Sequence, residues 1–223
     1  MILFDLDGTL VDTAHDLAYA LNLQRERHGL AELPLEVIRP YASHGSTGLL
    51  SIGFGITPAD INFAAMRDEY LALYDQVLTR KPILFDGIAE LLAHFDSKRI
   101  PWGVVTNKPR RFTLPLMKGI ALMQGAACVI SGDDAPRPKP YPDTLLLACE
   151  QAGVNPQSCW YVGDAERDIQ AGNAAGMKTV VALYGYLGDK DQPAEWGADG
   201  SVNAPLELLS LLDDQYGKRN LSL

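Results

Sequence analysis

Cysteine is scarce in this chain, and the few present fit no metal or disulfide pattern. Cys128, Cys149 and Cys159 are odd in number, lack CxxC spacing and stand in apolar surroundings. They read as free buried thiols in a reducing cytoplasm. Basic charge is also short: 19 Lys and Arg against 28 Asp and Glu give a net charge of −9, with no block of one sign. Phosphate backbones favour basic surfaces, which argues against nucleic acid as the main partner. Small anions answer to the local field of a site and stay open. No apolar run approaches the roughly 18 residues of a membrane span, so no membrane partner is expected. No basic segment leads into an opening hydrophobic stretch, so no secretory signal is expected either. Repeats and low-complexity segments are lacking. What is present is a globular composition, 47% hydrophobic and 21% charged over 223 residues, which can build a sizeable core. The length suits one α/β domain, or one with a small second domain.

Local pattern divides the chain. MILF is a short apolar strand, and a helical pattern with Leu17, Ala20, Leu21 and Gln24 on one face runs from Ala14 to about Arg27. PLEVIRPY and SHGSTGLLSIGFGI read as short helices and turns. TPADINFAAMRDEYLALYDQVL reads as an amphipathic helix, with Met66, Tyr70, Leu73, Tyr74 and Val77 on one face. Residues 14–80 therefore contain helices and no convincing strand. After KPILFDG, strand and helix alternate. Helices are expected from Ile88, over about 110–120, over 143–153, over 166–175 and in PLELLSLLDD. WGVVT, ACVIS, CWYVG and TVVALY are the strands between them. Continuous apolar strands imply a parallel sheet covered on both faces, and right-handed crossovers make it a doubly wound, Rossmann-like sheet. The expected organisation is an α/β core of residues 1–13 and 82–223, with a small α-helical cap, residues 14–81, inserted after the first strand.

In open α/β sheets, ligands bind beyond the carboxyl ends of the strands. Asp5, Asp7 and Thr9 follow the first strand, and Thr106, Asn107 and Lys108 follow WGVV. Asp164 and then Asp168 follow CWYVG, and Lys139 stands between two prolines in SGDDAPRPKPYP. Acids as close as Asp5 and Asp7 repel, so a cation is expected to offset them. Asp5, Asp7 and Asp164 make an oxygen-rich site suited to Mg²⁺. Thr106, Asn107 and Lys139 are candidates to hold phosphoryl oxygens, since phosphoryl transfer needs chiefly positioning and charge neutralisation. An aspartate can attack phosphorus and become an aspartyl-phosphate. A second carboxylate two residues on can protonate the leaving alcohol and then deprotonate water.

Four stations in this order, FDLDGT (4–9), VVTN (104–107), Lys139 in PKPYP and VGDAERD (162–168), closely resemble the haloacid-dehalogenase-like phosphatase superfamily. The resemblance covers essentially the whole chain. It implies Asp5 as nucleophile, Asp7 as general acid/base, and Thr106 and Lys139 as phosphoryl ligands with Asn107 beside them. It places Mg²⁺ on the Asp5 side chain, the Asp7 carbonyl and Asp164, with Asp168 in support. The cap position matches the helical-cap members. FDLDGTLVDT, VTNKP and YGY resemble phosphoglycolate phosphatases. AAMRDEYLALY, VVTNKPRRF and YGYLGDKDQPAEWGAD look like N-acetylmuramic acid 6-phosphate phosphatases. The implied partner is a small phosphorylated molecule, for a cytoplasmic monomer or homodimer. Ala165 departs from the Ser or Thr that many relatives carry after Gly-Asp.

Plainer readings stand beside these. An EF-hand needs Gly at its sixth position, where Leu10 stands. Thr106 and Asn107 alone would serve as a helix N-cap. His44, Gly45 and Ser46 could meet the distal end of a substrate through N–H donors at a Gly-rich helix start, or simply form a solvated turn. Arg110 and Arg111 could attract an anionic substrate but fit a charged helix face better, and Trp102, Trp160 and Trp196 fit packing. A sugar phosphomutase shares the core chemistry. A dehalogenase would have no use for Asp7, and a signalling receiver domain has about half this length and no inserted helices.

Overall fold

The computed structural model describes residues 1–219. Strand β1 (Ile2–Phe4) is followed by the two-residue β2 (Val11–Asp12) and then by helices α1 (Ala14–Arg27) and α2 (Leu35–Ile38). A 3₁₀ segment (Arg39–His44) leads into α3 (Gly45–Phe54) and α4 (Phe63–Asp75), and β3 (Ile83–Leu84) closes this block. The alternating part comprises α5 (Ile88–Lys98), β4 (Trp102–Val105), α6 (Arg110–Gly119), β5 (Val129–Ile130) and α7 (Asp143–Ala152). It continues with β6 (Trp160–Gly163), α8 (Glu166–Ala174), β7 (Lys178–Ala182), β8 (Gly200–Val202) and α9 (Glu207–Arg219).

Among the described residues, six strands form one parallel sheet in the order β5-β4-β1-β6-β7-β8, with β1 in the middle. This is the α/β fold expected from the apolar runs. Every residue of β1, β4 and β6 is buried because helices cover both faces. Ile2 and Phe4 join Phe95, Val104, Val162 and Val180 on one face, while Leu3 joins Val105, Ile130, Leu145 and Tyr161 on the other. Each fully buried aliphatic or aromatic side chain of this kind contributes roughly 1.5–3 kcal/mol. Register then positions the site. Phe4 is level with Val104 on one side and Val162 on the other, so Asp5 emerges where β4 and β6 also end.

Two features differ from the sequence reading. The helix expected from Thr57 begins at Phe63, because Asp60 accepts bonds from the Thr57 N–H (2.7 Å) and hydroxyl (2.9 Å). Such local bonds offer the backbone an alternative to helix. Strand β8 and the antiparallel β2–β3 pair are too short and too mixed to show a period. That pair brackets the helices α1–α4, whose shared interior holds Leu17, Leu21, Met66, Tyr70, Leu73 and Tyr74. No helix among the described residues is long and apolar enough to cross a membrane.

Candidate active site

Backbone pairing carries the strand ends into one place. The Asp5 N–H still donates to Val162 O (2.9 Å) and the Thr106 N–H to Ile130 O (2.9 Å), so both side chains leave the sheet from fixed main chain. Asn107 ties down the loop of Lys139: its side chain accepts from the Lys139 N–H (2.9 Å) and donates to the Lys139 carbonyl (2.8 Å). Asp168 reaches back one turn to accept from the Ala165 N–H (3.0 Å), one half of a capping box whose other half the Ala165 methyl cannot make. Gly8 has φ +82°, and a Cβ there would run into the Asp164 carboxylate, so only glycine passes.

The result is a buried ionic cluster. Lys139 Nζ lies 3.0 Å from Asp5 Oδ1, 2.7 Å from Asp168 Oδ1 and 2.7 Å from the Tyr161 hydroxyl. Asp164 Oδ2 accepts from the Ser43 hydroxyl (2.7 Å) and the Tyr186 N–H (2.9 Å), and Thr9 Oγ1 lies 3.4 Å from Oδ1. Burial raises the Asp5 carboxyl above its ordinary value, against the pull of Lys139, and the charge of Asp168 adds to the rise. Asp164 is pushed up to about 7 by burial and by the charges of Asp168 and Asp5. These acids are short of positive charge. Oxygens of Asp5, Asp164 and Asp168 all lie within 4.8 Å of one another, a hard-donor set that fits a divalent cation such as Mg²⁺. The Asp7 side chain lies outside that set, held by Thr13 and Lys108.

Asp7 faces the other way. Its Oδ1 accepts from Thr13 Oγ1 (2.5 Å), and Lys108 Nζ lies 3.0 Å from Oδ1 and 3.2 Å from Oδ2. Thr106 Oγ1 accepts from the Lys108 N–H (3.2 Å), which orients the turn after β4. These groups open on a cleft of about 950 Å³ between the sheet end and the helical block. Asp5, Asp7, Thr106, Asn107, His44, Gly45 and Ser46 all line it. Lys139, Asp164 and Asp168 are buried, Lys139 meeting the site through Asp5. Burial holds His44 below its ordinary value with help from the Arg167 charge, so its imidazole is neutral at pH 7.

Sequence reasoning missed several participants. Arg167 lies inside VGDAERD, lines the cleft, feels the charges of Asp168, Asp5 and Asp164, and donates to the Ser43 carbonyl. Its signal was its place between Asp164 and Asp168. Lys108 stands at a strand end, but nothing in the sequence names its partners. Ser43 and Tyr74 reach the site only through the packing of the helical block, and carry no local signal.

A family model for haloacid dehalogenase-like hydrolases matches residues 2–182. The N-acetylmuramic acid 6-phosphate phosphatase of Pseudomonas aeruginosa is 40% identical over 95% of this chain and 94% of its own length. A phosphoglycolate phosphatase of Xanthomonas campestris pv. campestris is 40% identical over 93% of each chain. The crystal structure of a predicted phosphoglycolate phosphatase from Haemophilus somnus superposes with a TM-score of 0.82 at 24% identity. It covers 95% of this chain and 97% of that one, a likeness of fold.

Proposed function

The chain belongs to the haloacid dehalogenase-like hydrolase family and is a phosphoric monoester hydrolase, and on that premise we propose that Asp5 is its nucleophile. The observation that carries the reading is the pairing of Asp5 with Lys139 beside a carboxylate set fit for a divalent cation. Asp5 Oδ attacks the phosphorus of the bound ester, and the P–O bond to the alcohol breaks. Asp7 gives a proton to the departing oxygen. It then takes a proton from the water that attacks the aspartyl-phosphate. Phosphate leaves, Asp5 is a carboxylate again, and Asp7 has regained the proton it gave. Thr106 and Asn107 line the cleft where the phosphoryl oxygens would sit, and Lys139 offsets the charge around Asp5.

Asp5, Asp164 and the Asp7 carbonyl would hold Mg²⁺, with Asp168 fixing the set through Lys139. When bound, the ion neutralises charge on the phosphoryl oxygens. Residues 14–81 act as a cap over a core of 1–13 and 82–223, with His44, Gly45 and Ser46 on the substrate side of the cleft.

Phosphoglycolate is the first substrate to consider, from the relatives that act on it. The size of the cleft favours a second reading. About 950 Å³ far exceeds a two-carbon acid, and its walls include Arg67, Arg111 and the rings of Tyr70 and Phe112. These suit a phosphosugar bearing a carboxylate, such as N-acetylmuramic acid 6-phosphate. Phosphate release should be measured from both compounds and from common sugar phosphates, with EDTA and with Mg²⁺ restored. The expected result is hydrolysis of one acid phosphate, lost on chelation and recovered with Mg²⁺. Activity indifferent to EDTA would count against the metal assignment.

A further inference from the structure

We propose that Lys108 is a positioning residue for Asp7, and that the Tyr74 hydroxyl ties that position to helix α4. The inference rests on the reading of Asp7 as acid and base. Lys108 is a cation with a side chain only 6% exposed, and the chemistry above gives it no task. A buried ammonium must place its protons on acceptors. Here Nζ has Asp7 Oδ1 at 3.0 Å, Oδ2 at 3.2 Å and the Tyr74 hydroxyl at 2.8 Å. Three protons meet three oxygens, none of them on a substrate.

The arrangement treats the two Asp7 oxygens unequally. Thr13 (2.5 Å) and Lys108 (3.0 Å) converge on Oδ1, while Oδ2 has the longer Lys108 contact. Oδ1 is therefore the more firmly anchored atom, which leaves Oδ2 the freer of the two to pass a proton. Both steps assigned to Asp7 need one carboxyl oxygen held toward the reacting atoms, and small errors of placement cost large factors in rate. Tyr74 adds a link outside the sheet. Its ring lies edge-on to Phe112 (5.3 Å, 66°) and parallel to Tyr70 (6.3 Å, 5°), so the hydroxyl is rigidly aimed. Lys108 Nζ also sits 4.7 Å from the centre of the Tyr74 ring. The acid/base is thus steadied from the core through Lys108 and Thr13, and from the helical block through Tyr74.

The test compares wild type with Lys108→Met, Lys108→Arg and Tyr74→Phe. The alkyl phosphate is whichever panel member the wild type hydrolyses fastest; the second substrate is p-nitrophenyl phosphate in its first turnover. Nitrophenolate leaves without a proton, so only the alkyl ester depends on Asp7 as acid. Lys108→Met should lower kcat on the alkyl ester roughly 10- to 100-fold, a part of what general acid catalysis supplies. KM should change less than about threefold, and the nitrophenol burst should keep most of its rate. Lys108→Arg should recover part of the loss. Tyr74→Phe keeps the ring and removes only the hydroxyl, so it should show the same leaving-group selectivity in weaker form. Equal slowing of both esters would overturn the proposal, as would a KM rise with kcat retained, the mark of a substrate ligand. If Lys108→Met fails to fold, leaving-group selectivity in Tyr74→Phe decides the matter. Wild type that hydrolyses neither ester would overturn the phosphatase reading itself, which is a separate outcome.

Discussion

The carboxyl end of the sheet and the helical block face each other across one cleft, but they supply different kinds of group. At the sheet end, charges are buried and mutually paired: Lys139 touches Asp5 and Asp168, and Lys108 touches Asp7. On the helical side the cleft is lined by hydroxyls, aromatic rings and the guanidinium of Arg67, which is exposed and lies 3.9 Å from its neighbour Asp68. Buried pairs in a low dielectric hold their geometry, whereas an exposed pair is screened and mobile. The contrast amounts to a division of labour. On the proposed function, chemistry is placed where the backbone fixes it, and recognition where side chains can adjust to a ligand.

The largest effect should come from breaking the sheet end. Asp5→Asn removes the attacking oxygen and is expected to lower turnover by on the order of 10⁴-fold or more on every phosphoester. Thermal unfolding should stay cooperative, because Asn keeps the shape and relieves one buried acid. Appreciable residual turnover would sink the nucleophile assignment. A far smaller and more selective effect is expected from the helical side. Arg67→Ala should raise KM for N-acetylmuramic acid 6-phosphate about tenfold, the scale of one charged hydrogen bond. N-acetylglucosamine 6-phosphate, which lacks the lactyl carboxylate, should be affected much less. Equal loss on both sugars would mean that Arg67 does not read the carboxylate.

The same division decided how much could be read from the sequence. Strand ends announce themselves, because an apolar run that stops at an acid locates Asp5 and Asp164 without any knowledge of tertiary structure. Lys139 was legible from its place between prolines. The parallel sheet followed from Phe4, Val104 and Val162 standing in unbroken apolar runs, buried on both faces. Ser43 and Tyr74 were illegible for one reason: each meets its partner only through how the helices pack. Tyr74 lies on a periodic apolar face, where period alone says core, and its hydroxyl nonetheless ends on Lys108. Arg167 had a signal in its position, but no local rule says which way a guanidinium on the first turn of a helix will point.

The smallest effect probes the point where the two regions touch, the Ser43 hydroxyl on Asp164. Burial, with the charges of Asp168 and Asp5, pushes Asp164 up to about 7, against an ordinary value of 3.8 in the unfolded chain. Between those values the folded protein binds a proton that the unfolded chain has lost, so stability falls as pH rises. The contribution is complete below about pH 4 and disappears as pH passes 7. Raising the pH by one within that range costs at most about 1.4 kcal/mol. In EDTA, the melting temperature should therefore drop about 4 °C more between pH 6 and pH 8 in wild type than in Asp164→Asn, given about 2–4 °C per kcal/mol at this size. A divalent cation binds the ionised carboxylate, so saturating Mg²⁺ should shrink or reverse that drop. Matching melting curves for the two proteins across this range would show that Asp164 is already ionised without metal. Its hydrogen bonds from Ser43 and the Tyr186 N–H would then offset its burial, and a divalent cation would meet a carboxylate with no proton to displace.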